Sequence, residues 1–86
     1  MYKVSLAKKA FDFYTSSPPS LVKKLDNCFQ FLKENPYKHN NIKSLSGRYK
    51  GFYRYRIGNY RVVYSIEPSG KLIIVLLIEH RSKVYR

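Results

Sequence analysis

The stretch GFYRYRIGNYRVVY, residues 51–64, decides the predicted fold of the chain. At its centre, Gly58-Asn59 is a dipeptide typical of a two-residue turn between antiparallel strands. The runs on both sides are rich in Tyr, Val and Ile, which favour strands. The stretch therefore predicts a β-hairpin with strands at residues 52–57 and 60–67.

The two faces of this hairpin differ in their chemistry. Because side chains alternate along a strand, Arg54 and Arg56 share one face, and Arg61 joins them if the tyrosines pack inward. The inward set is then Tyr53, Tyr55, Ile57, Tyr60, Val62, Tyr64 and Ile66. A guanidinium group can grip a phosphate with two hydrogen bonds, so three arginines on one patch predict an anion site.

The chain before the hairpin is predicted to form one strand and two helices. An alternating segment at residues 2–6 is expected to be an edge strand. Apolar residues at spacings of three and four predict helices at residues 7–15 and 21–34, the second capped by Ser20. Residues 37–50 form a polar connection.

The chain after the hairpin predicts the centre of the sheet. Residues 71–79, KLIIVLLIE, are apolar on both faces, as expected of a central strand.

In the polar connection at residues 37–50, Ile42 and Leu45 are expected to anchor to the core, and Gly47 is expected to allow a turn. The predicted class is α+β in the order β-α-α-β-β-β, a helical hairpin on one face of a mostly antiparallel four-stranded sheet. A short basic tail follows, and residues 1–86 form one domain.

Composition predicts a partner of opposite charge. The 86 residues include 17 basic and 5 acidic side chains, which gives a net charge of +12. Such an excess favours nucleic acid or a strongly acidic protein as partner. All six arginines lie at or after Arg48, interleaved with six of the nine tyrosines. Arginine and aromatic side chains together can hold single-stranded RNA, while packing within the sheet is the alternative role for the tyrosines.

Cysteine usage and hydropathy narrow the possible classes further. Cys28 is the only cysteine, so an intramolecular disulfide and a multi-cysteine metal site are excluded, and a small core residue is expected. The N-terminal residues are not expected to act as a signal peptide, because lysines stand at positions 3, 8 and 9, and the apolar run at residues 72–78 is too short to span a membrane. A cytoplasmic protein is the expectation.

Three motifs, taken in order, suggest a family. They are L-x-G at residues 45–47, G-x-Y-R-x-R-x-G-x-Y-R at residues 51–61 followed by Val-Val-Tyr, and H-R-x-x-V-Y-R at residues 80–86. On the predicted element order, the chain resembles the RelE/ParE superfamily of bacterial toxin–antitoxin toxins over essentially its whole length. The tail favours the RelE branch, whose members cut mRNA in the ribosomal A site, over the ParE branch, which poisons DNA gyrase.

The resemblance implies a ribosome-dependent and metal-independent endoribonuclease without a cofactor. The substrate's own 2′-hydroxyl would be the nucleophile, giving a 2′,3′-cyclic phosphate and a 5′-hydroxyl. The implied partners are mRNA, ribosomal RNA and a cognate acidic antitoxin. Operator DNA would be bound only through the complex with that antitoxin.

The resemblance also implies roles for particular residues. Arg61 would neutralise the phosphorane, Arg81 would brace the same phosphate, and Arg54 would contact the substrate backbone. Tyr85 would stack on the nucleotide or help to move a proton. Because a guanidinium stays protonated, His80 is the candidate base or acid, with a structural hydrogen bond as its equally weighted alternative. The expected RNA-binding set is Arg54, Arg56, Lys50, Arg48, Tyr55, Lys83 and Arg86.

Two departures from the family pattern concern the site. Better-studied RelE toxins have a further basic residue where this chain has Phe52, so any role of that residue must be filled elsewhere, and Arg54 stands where the family often has lysine. Two alternatives to the endoribonuclease are a ParE-like gyrase poison and a basic RNA-binding module without activity. The gyrase poison would use the same fold without needing His80 or Tyr85 for chemistry.

Overall fold

The computed structural model describes residues 1–80, which form two helices on one face of a mixed sheet. The elements in chain order are β1 (Lys3–Leu6), α1 (Lys8–Thr15), α2 (Pro19–Glu34), β2 (Ile42–Ser44), a 3₁₀ turn (Gly47–Tyr49), β3 (Tyr53–Ile57), β4 (Tyr60–Glu67) and β5 (Leu72–His80). The strand order is β1-β5-β4-β3-β2. β1 runs parallel to β5, and the other neighbours are antiparallel. The predicted α+β class, the hairpin and the central position of β5 are confirmed.

The sheet has five strands rather than the predicted four. The additional strand, β2, lies at the edge within the connection predicted to be polar, and Ile42 pairs there with Tyr55 of β3. Three residues are too few to show an alternating pattern, and two of them, Lys43 and Ser44, are polar and exposed. The predicted anchoring by Ile42 is confirmed, because its side chain is buried in the core.

The second helix begins earlier than predicted, and Ser20 is not its cap. Pro18 is the N-cap residue and Pro19 the first helical residue, a position that proline suits because its fixed φ is already helical. The serines before these prolines act on α1 instead, where the Ser17 hydroxyl donates a hydrogen bond to the Phe13 carbonyl oxygen at 2.6 Å. The break between the helices therefore ends one helix and starts the next.

The core lies between the helices and the inner face of the sheet. From α2 it takes the predicted stripe of Leu21, Leu25, Cys28 and Leu32, all buried. The largest fully buried side chain is Tyr64 of β4, whose hydroxyl donates a hydrogen bond of 2.7 Å to the carbonyl oxygen of Pro36. Burial raises the pKa of the Tyr64 hydroxyl and, to about 12, that of the Cys28 thiol. Both side chains are therefore neutral core residues.

A β-bulge changes the register between β4 and β5. Tyr64 lies opposite Val75, but the next residue back along β4, Val63, lies opposite Leu77. Leu76 is therefore the extra residue on β5, and every side chain after it points to the face opposite from the one that strict alternation predicts.

The bulge determines which of the last two described residues faces the helices. After it, Glu79 lies opposite Arg61, and His80 lies opposite Tyr60.

Within residues 1–80, neither helix is long and apolar enough to cross a membrane.

Candidate functional site

The sheet face turned away from the helices carries the predicted group of arginines. Arg56 pairs across the hairpin with Arg61, and Arg54 pairs with Val63, the next pair on the same face. Lys43 extends the second pair from β2. We call the surface formed by Lys43, Arg54, Arg56, Arg61 and Glu79 the arginine face. The expectation that the three hairpin arginines share one face is confirmed.

Arg61 lies at the centre of the arginine face and is held by Glu79. Its Nε and Nη2 atoms both donate to Oε1 of Glu79, at 3.4 and 3.2 Å. The two side chains are 18% and 28% exposed, so the pair is partly shielded but open to a ligand. The Tyr49 ring lies beneath the guanidinium, with Cζ of Arg61 6.0 Å from the ring centroid. Three contacts from two elements therefore fix the orientation of this one guanidinium.

The 3₁₀ turn brings Tyr49 to this place. Gly47, the first residue of the turn, has a φ angle of +66°, and Gly51, two residues after its end, has a φ angle of +96°. Residues that carry a side chain rarely adopt such positive φ angles. Gly47 and Gly51 are the glycines of the first two motifs, and their conformation folds the turn back over the sheet. The predicted turn at Gly47 is confirmed.

The side chains of Arg54 and Arg56 differ in how firmly their contacts fix them. Nη1 of Arg54 donates to the backbone carbonyl oxygen of Asn41 at 2.7 Å, which directs the guanidinium toward the edge of the sheet. The backbone N–H of Arg56 donates to the same carbonyl oxygen at 3.0 Å, but the Arg56 side chain is exposed. Val63, opposite Arg54 on this face, is fully buried, so an apolar residue lies among the arginine positions.

The structure separates other predicted site residues from the arginine face. His80 lies on the helix side, edge-to-face with Tyr60 at 5.1 Å between ring centroids. Tyr55 is also on the helix side, stacked on His39 at 5.5 Å and close to Phe31. Neither side chain is on the face that carries Arg61.

The remaining predicted residues divide into two groups. Arg48 and Lys50 are exposed in and after the 3₁₀ turn, next to Tyr49. Phe52, which stands at the position of the first departure, lies with its ring centroid 6.3 Å from that of Tyr49. The other predictions lie outside the described residues: Arg81, Lys83, Tyr85 and Arg86.

Two residues of the site were missed from the sequence. The sequence distinguishes Tyr49 from the other interleaved tyrosines only by Gly47 and Gly51, which stand two residues before and after it. Glu79 had no such signal, because only the bulge brings it opposite Arg61. In residues 1–80, no three His, Cys, Asp or Glu side chains lie close enough together to hold a metal ion.

Comparison with known proteins agrees with the fold and the motifs. The family model described as "ParE toxin of type II toxin-antitoxin system, parDE" matches residues 7–85. A protein assigned as toxin RelE1 in Methanocaldococcus jannaschii is 32% identical over 87 residues, covering 99% of this chain and 96% of that protein. The family model and this relative therefore both match almost the whole chain, and both are toxins by description.

Solved structures show the same architecture. A chain of the archaeal RelE–RelB complex from Pyrococcus horikoshii OT3 superposes with a TM-score of 0.81 at 26% identity, covering 95% of this chain and 97% of that one. The isolated Escherichia coli RelE toxin has a TM-score of 0.79 at 20% identity, covering 99% and 92%. The chain therefore belongs to the RelE/ParE superfamily of toxins of type II toxin–antitoxin systems.

Proposed function

We propose that this toxin is a ribosome-dependent mRNA endoribonuclease that binds the scissile phosphate on the arginine face. The observation that carries the proposal is the arrangement of Arg54, Arg56 and Arg61 in two neighbouring pairs on one face, with the buried Val63 opposite Arg54. Cations fixed beside an apolar residue would attract an anion more strongly than cations in open water.

The proposed chemistry is transesterification within the RNA. The 2′-hydroxyl attacks the adjacent phosphorus, the bond to the 5′-oxygen breaks, and the products are a 2′,3′-cyclic phosphate and a 5′-hydroxyl. Negative charge grows on the phosphorane oxygens, and the guanidinium of Arg61 is the group that would stabilise it. Arg54 and Arg56 would hold the flanking phosphates, and fixed cations of this kind can act without a metal ion. Arg81 and Tyr85 keep their proposed roles in bracing the phosphate and stacking on the base.

The proposed partners follow from charge and from the relatives. A net charge of +12 favours RNA and an acidic antitoxin segment as ligands. The structural relatives from Mycobacterium tuberculosis and P. horikoshii were solved as RelBE2 and RelE–RelB complexes. We therefore propose a cognate antitoxin that covers this toxin in the cytoplasm and carries the operator-DNA contacts of the pair.

Inhibition of DNA gyrase is the second candidate function. It is favoured by one observation, the description of the matching family model as a ParE toxin. On this alternative the arginine face would contact an acidic protein surface, and no RNA would be cut.

Primer extension on an mRNA in a reconstituted translation reaction, with and without ribosomes, tests the proposal. The wild-type toxin is expected to cut within codons only when ribosomes are present. Arg61→Ala should lower the rate about 10²- to 10³-fold, since it removes a group that stabilises transition-state charge. Arg61→Lys keeps the charge but loses the planar fork, and Lys23→Gln on the exposed side of α2 is the control for lost charge alone.

The same preparations should be assayed for gyrase supercoiling. Absence of cuts together with gyrase inhibition would replace the proposal by the second candidate. RNA binding without effect in either assay would leave a basic RNA-binding module.

A further inference from the structure

The proposed reaction needs a group that accepts the 2′-hydroxyl proton, and the arginine face offers one. Guanidinium groups stay protonated at any relevant pH, so the arginines cannot serve. His80 lies on the helix side against Tyr60. In the described part of the chain, Glu79 is the one carboxylate paired with an arginine of this face. The other four acidic residues lie elsewhere: Asp12 on α1, Asp26 and Glu34 on α2, and Glu67 at the end of β4.

The other carboxylates already have structural partners or are far from the arginines in the fold. Asp12 pairs with Lys8, and Asp26 accepts a hydrogen bond from the Tyr14 hydroxyl. Glu67 accepts hydrogen bonds from Ser69 and Gly70 in the turn that follows β4.

The geometry of the pair leaves one oxygen of Glu79 and one nitrogen of Arg61 without a hydrogen bond among residues 1–80. Glu79 receives Arg61 Nε and Nη2 on a single oxygen, Oε1. Among residues 1–80, neither Oε2 of Glu79 nor Nη1 of Arg61 takes part in a hydrogen bond. Oε2 and Nη1 therefore belong to two paired side chains that are both partly exposed.

We propose that Glu79 is the general base of the reaction. This inference rests on the proposed function, because it concerns the same site. One nucleotide can place its 2′-hydroxyl against Oε2 while its phosphate meets the guanidinium end of Arg61, since the two groups are neighbours in RNA. The hydrogen bonds from Arg61 would keep the carboxylate oriented for proton transfer.

The proton balance closes without a cofactor. Oε2 takes the proton as the 2′-oxygen bonds to phosphorus, and the electron pair of the P–O5′ bond leaves with the 5′-oxygen. Water then supplies the proton of the new 5′-hydroxyl, and Glu79 returns its own proton to solvent. The net products are the cyclic phosphate and the 5′-hydroxyl.

Glu79→Gln separates this role from that of a structural ion pair. Glutamine keeps the size of the side chain and an oxygen that accepts from Arg61, but it does not accept a proton. The single-turnover cleavage rate on ribosome-bound mRNA should fall about 10²- to 10⁴-fold. Affinity for an mRNA with a 2′-methoxy group at the cleavage position, which cannot be cut, should stay equal or increase because a negative charge is removed.

The matched variants are Glu79→Asp and Glu67→Gln. The aspartate keeps the base on a shorter side chain and should retain part of the rate lost in Glu79→Gln. Glu67→Gln removes an exposed carboxylate at the far end of β4 and should leave the rate unchanged. Folding is checked by urea denaturation of each variant.

Two outcomes overturn the inference. A Glu79→Gln rate within threefold of wild type, or above it, would mean that Glu79 only pairs with or competes for Arg61. Parallel losses of rate, affinity and stability would mean a structural role. Because both outcomes require an active wild-type toxin, they differ from failure of the proposed function, in which the wild type itself does not cut.

Discussion

The two faces of the sheet differ in burial and in charge. On the helix side, Tyr64 is fully buried and its polar atom has a partner in Pro36. On the arginine face, Arg56 and Arg61 lie directly opposite each other, a like-charge arrangement that disfavours pairing of the strands. The comparison indicates that the helix side supplies most of the stability of the fold. The arginine face can therefore keep like charges that are unfavourable for strand pairing but suited to binding an anion.

The largest effect on stability is expected from the helix side. Leu25 is fully buried on α2 within the core, so Leu25→Ala should lower the free energy of unfolding by about 2–5 kcal/mol. Urea denaturation measures the change, and the cleavage rate per folded molecule should be retained. A cost below 1 kcal/mol would mean that the core is looser than its burial indicates.

A smaller effect is expected from the hydroxyl of Tyr64. Tyr64→Phe keeps the ring, which stacks on Tyr53 at 5.8 Å, but leaves the buried carbonyl of Pro36 without its donor. The expected loss of unfolding free energy is about 1–3 kcal/mol. Thermal and urea unfolding should agree, and unchanged stability would show that water replaces the hydroxyl.

The smallest effect, and one of opposite sign, is expected on the arginine face. Arg56→Thr removes the like-charge neighbour of Arg61 and should raise the unfolding free energy by about 0.2–1 kcal/mol. RNA affinity should fall, and its dependence on the logarithm of salt concentration should decrease by about one unit. Lys23→Gln is the control on the helix side. Lower stability together with unchanged affinity would contradict the contrast between the faces.

The sequence predicted what local chemistry determines. Gly58-Asn59 specifies its turn through backbone conformation, and Gly58 indeed has a φ of +53°. The alternation on either side then assigns the faces of Arg54, Arg56 and Arg61 without knowledge of the rest of the chain.

The parts that were missed depend on distant contacts. The bulge at Leu76 arises between two strands, and no residue type near it signals an extra residue. It turns Glu79 toward Arg61 and His80 toward Tyr60, so the histidine that looked suitable in the sequence lies on the helix side. The short strand β2 likewise exists only because β3 is there to pair with it.

The pairing of β1 with β5 determines when the sheet can be completed during synthesis. Lys3–Leu6 bonds in register with residues 72–75, so the first strand to leave the ribosome waits for the last one. Such distant pairing delays the completion of the sheet until residues 72–80 have been synthesised. Arg61 likewise acquires Glu79 only when β5 joins the sheet. For a toxin whose proposed target is the translating ribosome, the arginine face is therefore incomplete until β5 has left the ribosome that makes it.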